Sequence, residues 1–220
     1  MTAAGIMTGS DGAPRCWWCV GDLLYERYHD TEWGRPQTDD RLLFEKIILE
    51  AFQSGLSWIT ILRKRENFRK AFKDFDIERV ARFGENDVDR LLQDAGIVRN
   101  RAKIESTINN AGRCTDLIDE FGSLANYIWR YEPSAKSRPK RLTHSQLMTM
   151  TTCAEATTLS KDLKKRGWSF VGPTTIYAFM QDMGLVNDHL TACPLRDQVE
   201  TLRSRFRRPG RDPDLRSTLS

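Results

Sequence analysis

Apolar residues recur at three- and four-residue intervals along almost the whole chain, and no run of alternating β-branched residues reaches strand length. That property points to an all-α fold. The stretch 39–55, DDRLLFEKIILEAFQSG, sets the pattern: acidic residues open a first turn, Leu43, Ile47, Ala51 and Ser54 recur at helical spacing, and Gly55 ends the helix. A second helix is expected from Ser57, a good N-cap, through WITILRKRENFRKAFKDF. A third is expected over 84–96 with Asn86 or Asp87 as its cap, one or two more over 100–122, and a short one over 123–132. Residues 133–145, rich in Pro, Ser and basic side chains, read as a loop. Helices over 149–167 and 174–183 complete the series.

With 220 residues the chain can bury a full core as one domain, taken here as 16–193. Residues 1–15, MTAAGIMTGSDGAPR, are small and polar without a basic flank and apolar run, so they read as a disordered extension rather than a secretory signal. Residues 194–220 carry seven arginines, Arg207, Arg208 and Arg211 among them, and read as a basic tail, disordered or peripheral. No apolar run is long enough to span a bilayer, which removes a membrane role for helices. Five cysteines, an odd number, argue for thiols or metal ligands rather than a disulfide framework, and make the cytoplasm the expected compartment. The net charge is only +4, yet basic residues cluster at 63–65, 99–103, 136–141 and 161–166. Each run alone suits a solvated helix face; four together favour a polyanionic partner.

The segment 163–184 has two helical halves joined by GWSFVGP. Gly167 can end the first half in a left-handed conformation, and Gly172 with Pro173 can start the second. A helix beginning there aims backbone N–H groups and the positive end of its dipole at an approaching phosphate. Such a helix-hairpin-helix would grip a DNA backbone through Gly172, Thr174 and Thr175, although two helices with a glycine turn are also a common structural hairpin.

His189 lies four residues before Cys193, a spacing that on a helical turn suits two ligands of one zinc ion. The other two ligands would come from Cys16, Cys19 and His29: Cys16 with Cys19 has the CxxC knuckle spacing, and Cys16 with His29 needs a longer loop. Spacing leaves both open, beside the reading of buried cysteines as small apolar residues. A redox role for CWWC (16–19) would call for a βαβ pattern the chain lacks, and Cys114 and Cys153 read as core.

Glu50 falls three residues after Ile47 and seven after Leu43, on a face that should be apolar, where an unpaired carboxylate is costly. It must have a partner. Trp18, Tyr25, Tyr28, Trp33 and Trp58 crowd aromatic surface into two nearby segments, suited either to core packing or to stacking on a base.

The runs YERYHDTEWG (25–34), LEAFQSGLSWITILRKRENFR (49–69), LLQDAGIVRNRAKI (91–104) and LKKRGWSFVGPTTIYAFMQDMGLVNDH (163–189) resemble the bacterial DNA-3-methyladenine glycosylase I family of the helix-hairpin-helix superfamily, in order over Cys16 to Cys193. The resemblance implies one structural Zn²⁺ per chain, held by Cys16, His29, His189 and Cys193 and joining the two ends, with Cys19 left out. It implies a base pocket of Trp18, Tyr25, Tyr28, Trp33, Glu50 and Trp58, with Glu50 and Tyr28 catalytic. It further implies a monomeric enzyme on double-stranded DNA that releases 3-methyladenine by hydrolysis and leaves an abasic site, without strand cleavage. Asp188 is then a helix cap or a support of the zinc site. Trp17 stands where a small residue is expected and has no assigned role. A non-catalytic lesion-binding module of the same fold is the alternative.

Overall fold

The computed structural model describes residues 3–210. Within them lie the helices α1 (Leu23–Thr31), α2 (Asp40–Gln53), α3 (Trp58–Ala71), α4 (Ile77–Ala81), α5 (Glu85–Gln93), α6 (Arg101–Phe121), α7 (Leu124–Ile128), α8 (His144–Thr149), α9 (Ala154–Lys165), α10 (Pro173–Asp182) and α11 (Leu195–Arg205). The fold is mostly helical, with one exception to the all-α expectation: β1 (Ile6–Thr8) and β2 (Pro14–Cys16) form a two-stranded antiparallel ribbon, Ile6 opposite Cys16.

Helix α2 is the centre. All ten residues from Leu43 to Phe52 are buried, because α3, α6, α7 and α10 pack around it. Asp39 caps its start by accepting from the Leu42 N–H at 2.9 Å. At its other end the buried Lys103 of α6 donates to the carbonyls of Phe52 and Ser54, both at 2.8 Å, satisfying acceptors that the helix leaves open. Asp40 serves a different helix: its carboxylate accepts from the Leu124 and Ala125 N–H groups at 2.9 and 2.8 Å, capping α7 from 84 residues away. Local pattern predicted α2 well, but not that its first turn would cap another helix.

The hairpin is α9, the turn 166–172 and α10. Gly167 is left-handed at φ +86°, and Gly172 and Pro173 begin α10 as its N-cap and first residue. Polar side chains of α6 hold the turn: Asn109 donates to the Gly167 carbonyl at 2.8 Å, and Asn110 both donates to the Ser169 carbonyl and accepts from its N–H, each at 3.0 Å. Gly184 follows at φ +74°, and a Cβ there would lie 2.5 Å from the Pro36 nitrogen. Only glycine lets the end of α10 rest directly on the chain after α1.

The disorder expected at each end is not what the described residues show. The described part of 1–15 carries the ribbon, whose Ile6 is buried with Cys16, Leu142, Leu190 and Cys193 in a small second core. Arg15 locks it to α1 through Asp30 at 2.7 Å. At the other end α11 buries Val199, Phe206 packs on Trp129 with ring centroids 4.5 Å apart, and Arg208 pairs with Glu132 at 2.9 Å. Burial against distant partners orders segments whose own composition is polar. Arg211 lies outside the described residues.

The basic runs are largely engaged within the chain: Arg65 with Glu32, Arg101 with Glu85 and Asp89, and Arg166 with Glu120. Replacing Asp40 with Ala removes both N–H acceptors at the start of α7 and is expected to cost about 1–2 kcal/mol of stability, measured as a lower urea midpoint at unchanged slope.

Candidate functional site

A cavity of about 280 Å³ opens between α1, α2, α3, α10 and the segments 17–18 and 147–148. Trp18, Tyr25, Tyr28, Trp33, Glu50 and Trp58 all line it. The aromatic wall is continuous: Trp18 contacts Tyr25 and Trp33 at centroid distances of 5.0 and 4.9 Å, and Tyr28 contacts Trp58 at 5.6 Å. Trp17, which had no role in the sequence reading, also lines the cavity and packs edge-on against His144 of α8 at 4.4 Å. Leu147 and Met148 complete that side from α8, a helix between the expected loop 133–145 and the helix expected from 149. The capping-box pair Thr143 and Gln146 starts α8, and that spacing was the available signal.

The floor is polar. Glu50 is buried, and it lines the cavity together with Asp182, the last residue of α10. The Tyr28 hydroxyl donates to Asp182 Oδ1 and accepts from Lys46 Nζ at 3.1 Å. The Lys46 ammonium also lies 3.3 Å from Asp182 Oδ2 and covers two ring faces, 4.4 Å from the Trp58 centroid and 4.6 Å from that of Tyr28. Burial first, and then the negative charge of Asp182, push the Glu50 carboxyl well above the usual carboxylate range. Burial likewise raises the Tyr28 hydroxyl, which remains a donor. Lys46 and Asp182 were missed by sequence reasoning. Lys46 precedes Glu50 by four residues on the same buried face, which was a signal; Asp182 looked like an ordinary helix end.

Gly172, Thr174 and Thr175 do not border this cavity; they lie at the surface-facing start of α10.

A second group lies behind the aromatic wall. The ligand atoms of Cys16, His29 and Cys193 lie within 4.8 Å of one another, all three residues buried, and could hold a metal ion. The His189 ring packs 4.9 Å from that of His29, and its Nε2 is buried without a hydrogen-bond partner. The other nitrogen of each histidine is held: His29 Nδ1 by Asp30 at 2.8 Å and His189 Nδ1 by Asn187 at 3.0 Å. Burial drives His189 down to about 3, which leaves it a neutral imidazole, the form that ligates. Cysteine sulfurs, buried imidazoles and fixed outer nitrogens are the donor set of a closed zinc site, so the residues fit that ion. Cys19 is not in the group; its buried thiol donates to the Cys16 carbonyl at 3.1 Å, and burial pushes it up to about 12.

Two readings near the cluster change. The His189 to Cys193 spacing is made by a tight turn, Cys193 N–H donating to the Leu190 carbonyl at 2.8 Å, not by a helix. Asn187, not Asp188, supports His189. Asp188 instead accepts from Arg138, from Tyr177 at 2.6 Å and from Gln181 at 2.9 Å, tying the basic loop to α10.

With this geometry in view, comparison with known proteins is decisive. The Methyladenine glycosylase family model matches residues 18–197. The chain belongs to that family. It is 48% identical over 179 residues to DNA-3-methyladenine glycosylase 1 of Escherichia coli (strain K12), covering 81% of this chain and 95% of that one. A DNA-3-methyladenine glycosylase of Haemophilus influenzae is 43% identical over 185 residues, covering 83% and 97%. Among solved structures, one of 3-methyladenine DNA glycosylase I superposes with a TM-score of 0.74 at 46% identity, covering 82% of this chain and 98% of that chain. The Staphylococcus aureus enzyme, studied for its recognition of 3-methyladenine, superposes at 0.74 and 38% identity, covering 80% and 93%.

Asp188→Ala leaves the half-buried Arg138 without its carboxylate and Tyr177 and Gln181 without their acceptor, and is expected to cost about 1–3 kcal/mol, read from equilibrium urea unfolding.

Proposed function

We propose that the protein is a DNA-3-methyladenine glycosylase that hydrolyses the N-glycosidic bond of 3-methyladenine in double-stranded DNA, releasing the base and leaving an abasic site. The observation that carries this reading is a buried carboxyl, Glu50, at the floor of an aromatic-walled cavity sized for one flipped base. Relatives named for this activity, and a solved structure of a 3-methyladenine DNA glycosylase I variant in complex with 3-methyladenine at 37% identity, support it.

Methylation at N3 makes the base in DNA a cation. The faces of Trp18, Tyr28 and Trp58 attract it through their ring quadrupoles, and the acid pair at the floor supplies negative charge and acceptors to its edge. Tyr25 and Trp33 complete the enclosure and exclude water from the base. A charged purine is already a good leaving group, so water attacks the anomeric carbon as the bond to the base breaks, with no general acid required. Glu50 and Tyr28 are the residues that touch the base. No lysine is assigned as a Schiff-base nucleophile: Lys46, the lysine at the floor, is engaged by Asp182 and Tyr28. Monofunctional hydrolysis follows.

Cys16, His29, His189 and Cys193 would hold one Zn²⁺, a closed site that supplies folding energy and no reactive position. Trp18 packs on His29 at 5.2 Å, so this clasp would hold the pocket wall in place. The helix-hairpin-helix start at Gly172, Thr174 and Thr175 would meet the DNA backbone, placing the base over the cavity. The working unit includes 16–193 and extends to the ribbon and α11, which pack on it. A monomer in the cytoplasm fits this reading, and among the described residues no helix is long and apolar enough to cross a membrane.

Two experiments test this. With duplex DNA containing 3-methyladenine, the protein should release the free base without cutting the strand, and Glu50→Gln should lose at least about tenfold in kcat/KM, equivalent to 1.4 kcal/mol of transition-state binding. Binding without release would instead favour a lesion-binding module. Metal analysis of the purified protein should give about one zinc per chain, with Cys16→Ser depleted and Cys19→Ser retaining it; the opposite pattern would restore the CxxC knuckle.

A further inference from the structure

Arg15 is a buried cation on β2, one residue before Cys16, and it joins the ribbon to His29. Its Nε lies 3.0 Å from both carboxylate oxygens of Asp30, and its Nη2 lies 2.7 Å from Oδ2. Asp30 Oδ1 in turn lies 2.8 Å from His29 Nδ1. On the other edge of the guanidinium Asp11 makes a second paired contact, at 2.6 Å to Nη1 and 2.7 Å to Nη2, and is itself held by the Ala13 N–H at 3.0 Å. Glu26 stands 3.7 Å from Nη1 and accepts from the Ser10 hydroxyl at 2.9 Å and the Gly21 N–H at 3.2 Å. Gly9 leaves the space for this packing, since a Cβ there would lie 2.2 Å from Arg15 Nη1.

A carboxylate paired with a guanidinium only accepts, so the hydrogen between Asp30 and His29 sits on Nδ1 and the lone pair is left on Nε2. That nitrogen faces the cysteine and histidine group, 3.7 Å from Cys193 Sγ. His189 is held differently, with its Nδ1 against the neutral amide of Asn187. A charged acceptor makes its imidazole the better metal ligand, and a fixed acceptor also sets the direction of the ring. Asp30 is part-exposed and by itself is free to turn to water; the guanidinium pins it. Asp11 and Arg15 both precede residues 18–197, the segment that the family model matches.

Resting on the zinc reading above, we propose that Arg15 and Asp30 are positioning residues for the metal site: the ribbon, through Asp11 and Arg15, holds the Asp30 carboxylate on His29 Nδ1 and so sets how tightly the ion is kept. Arg15 adjoins Cys16 in sequence and reaches His29 in space, so one side chain orients two ligands that come from different elements. Arginine is suited to this where lysine is not, because gripping one carboxylate on each of two edges requires the planar fork of the guanidinium. Trp18 packs on His29, so a change at Arg15 reaches the cavity wall without altering any residue that lines the cavity.

The test is zinc affinity of the full-length protein, measured by competition with a chromophoric chelator at a temperature where circular dichroism shows each variant folded. Arg15→Gln and Asp30→Ala should each weaken zinc binding by about ten- to hundredfold. Arg15→Lys keeps the charge without the fork and should fall between these and the native protein; it carries the test if Arg15→Gln does not fold. Glu26→Gln is the control, because it loosens the ribbon's hold on Ser10 and Gly21 while leaving Arg15 on Asp30, and its zinc affinity should stay close to native. With Co²⁺ in place of zinc, the ligand-field bands should shift in Arg15→Gln and not in Glu26→Gln. Native zinc binding that is unchanged in Arg15→Gln, Arg15→Lys and Asp30→Ala would overturn this proposal alone. An equal loss in Glu26→Gln would also overturn it, by assigning the effect to the stability of the ribbon. Absence of zinc from the native protein would overturn the zinc reading and this proposal with it.

Discussion

From Leu43 to Phe52 helix α2 has no solvent-facing side, yet it carries Glu45, Lys46 and Glu50 there. Each must meet a counter-group inside the protein, and the positions of those counter-groups dictate how the other helices are placed. Glu45 is gripped by Arg69 of α3 at 2.7 to 3.0 Å and Lys46 by Tyr28 of α1 and Asp182 of α10, which lines the same cavity as Glu50. Three helices are thereby oriented about one. The cavity is what remains where the polar floor and the aromatic walls fail to fill the space between them.

The chain ends perform a related task from the other side. Ribbon, α1 and the 187–193 turn converge on one small core that contains Cys16 and Cys193, with His29 and His189 beside it. Trp18 touches both this group and the cavity, packing on His29 and on Trp33. CWWC is therefore not one motif. Cys16 belongs to the metal-ligating group, Trp17 and Trp18 to the cavity wall, and Cys19 to the turn between them.

Where local period and capping decide, the sequence was informative. Helix α2 was expected over 39–55 and spans Asp40–Gln53; α10 was expected over 174–183 and spans Pro173–Asp182. The third helix is capped two or three residues earlier than expected, because Gly84 takes the N-cap position while Asp87 accepts from the Gly84 N–H at 3.3 Å. Strands of three residues carry too little alternation to register, so the ribbon was invisible. The C-terminal segment was misread for a similar reason: α11 has a single buried residue, Val199, and a polar composition overall.

By itself the sequence determined most of the longer helices, the aromatic and Cys/His candidates, and the demand that Glu50 have a partner. Only the tertiary structure decided who that partner is. Asp182 meets Tyr28 across 154 residues and completes a floor with Lys46, a contact set by how α1, α2 and α10 cross. No local period encodes such a crossing. It is chosen by the cost of leaving buried charges unmatched, which exists only once the helices have closed around them.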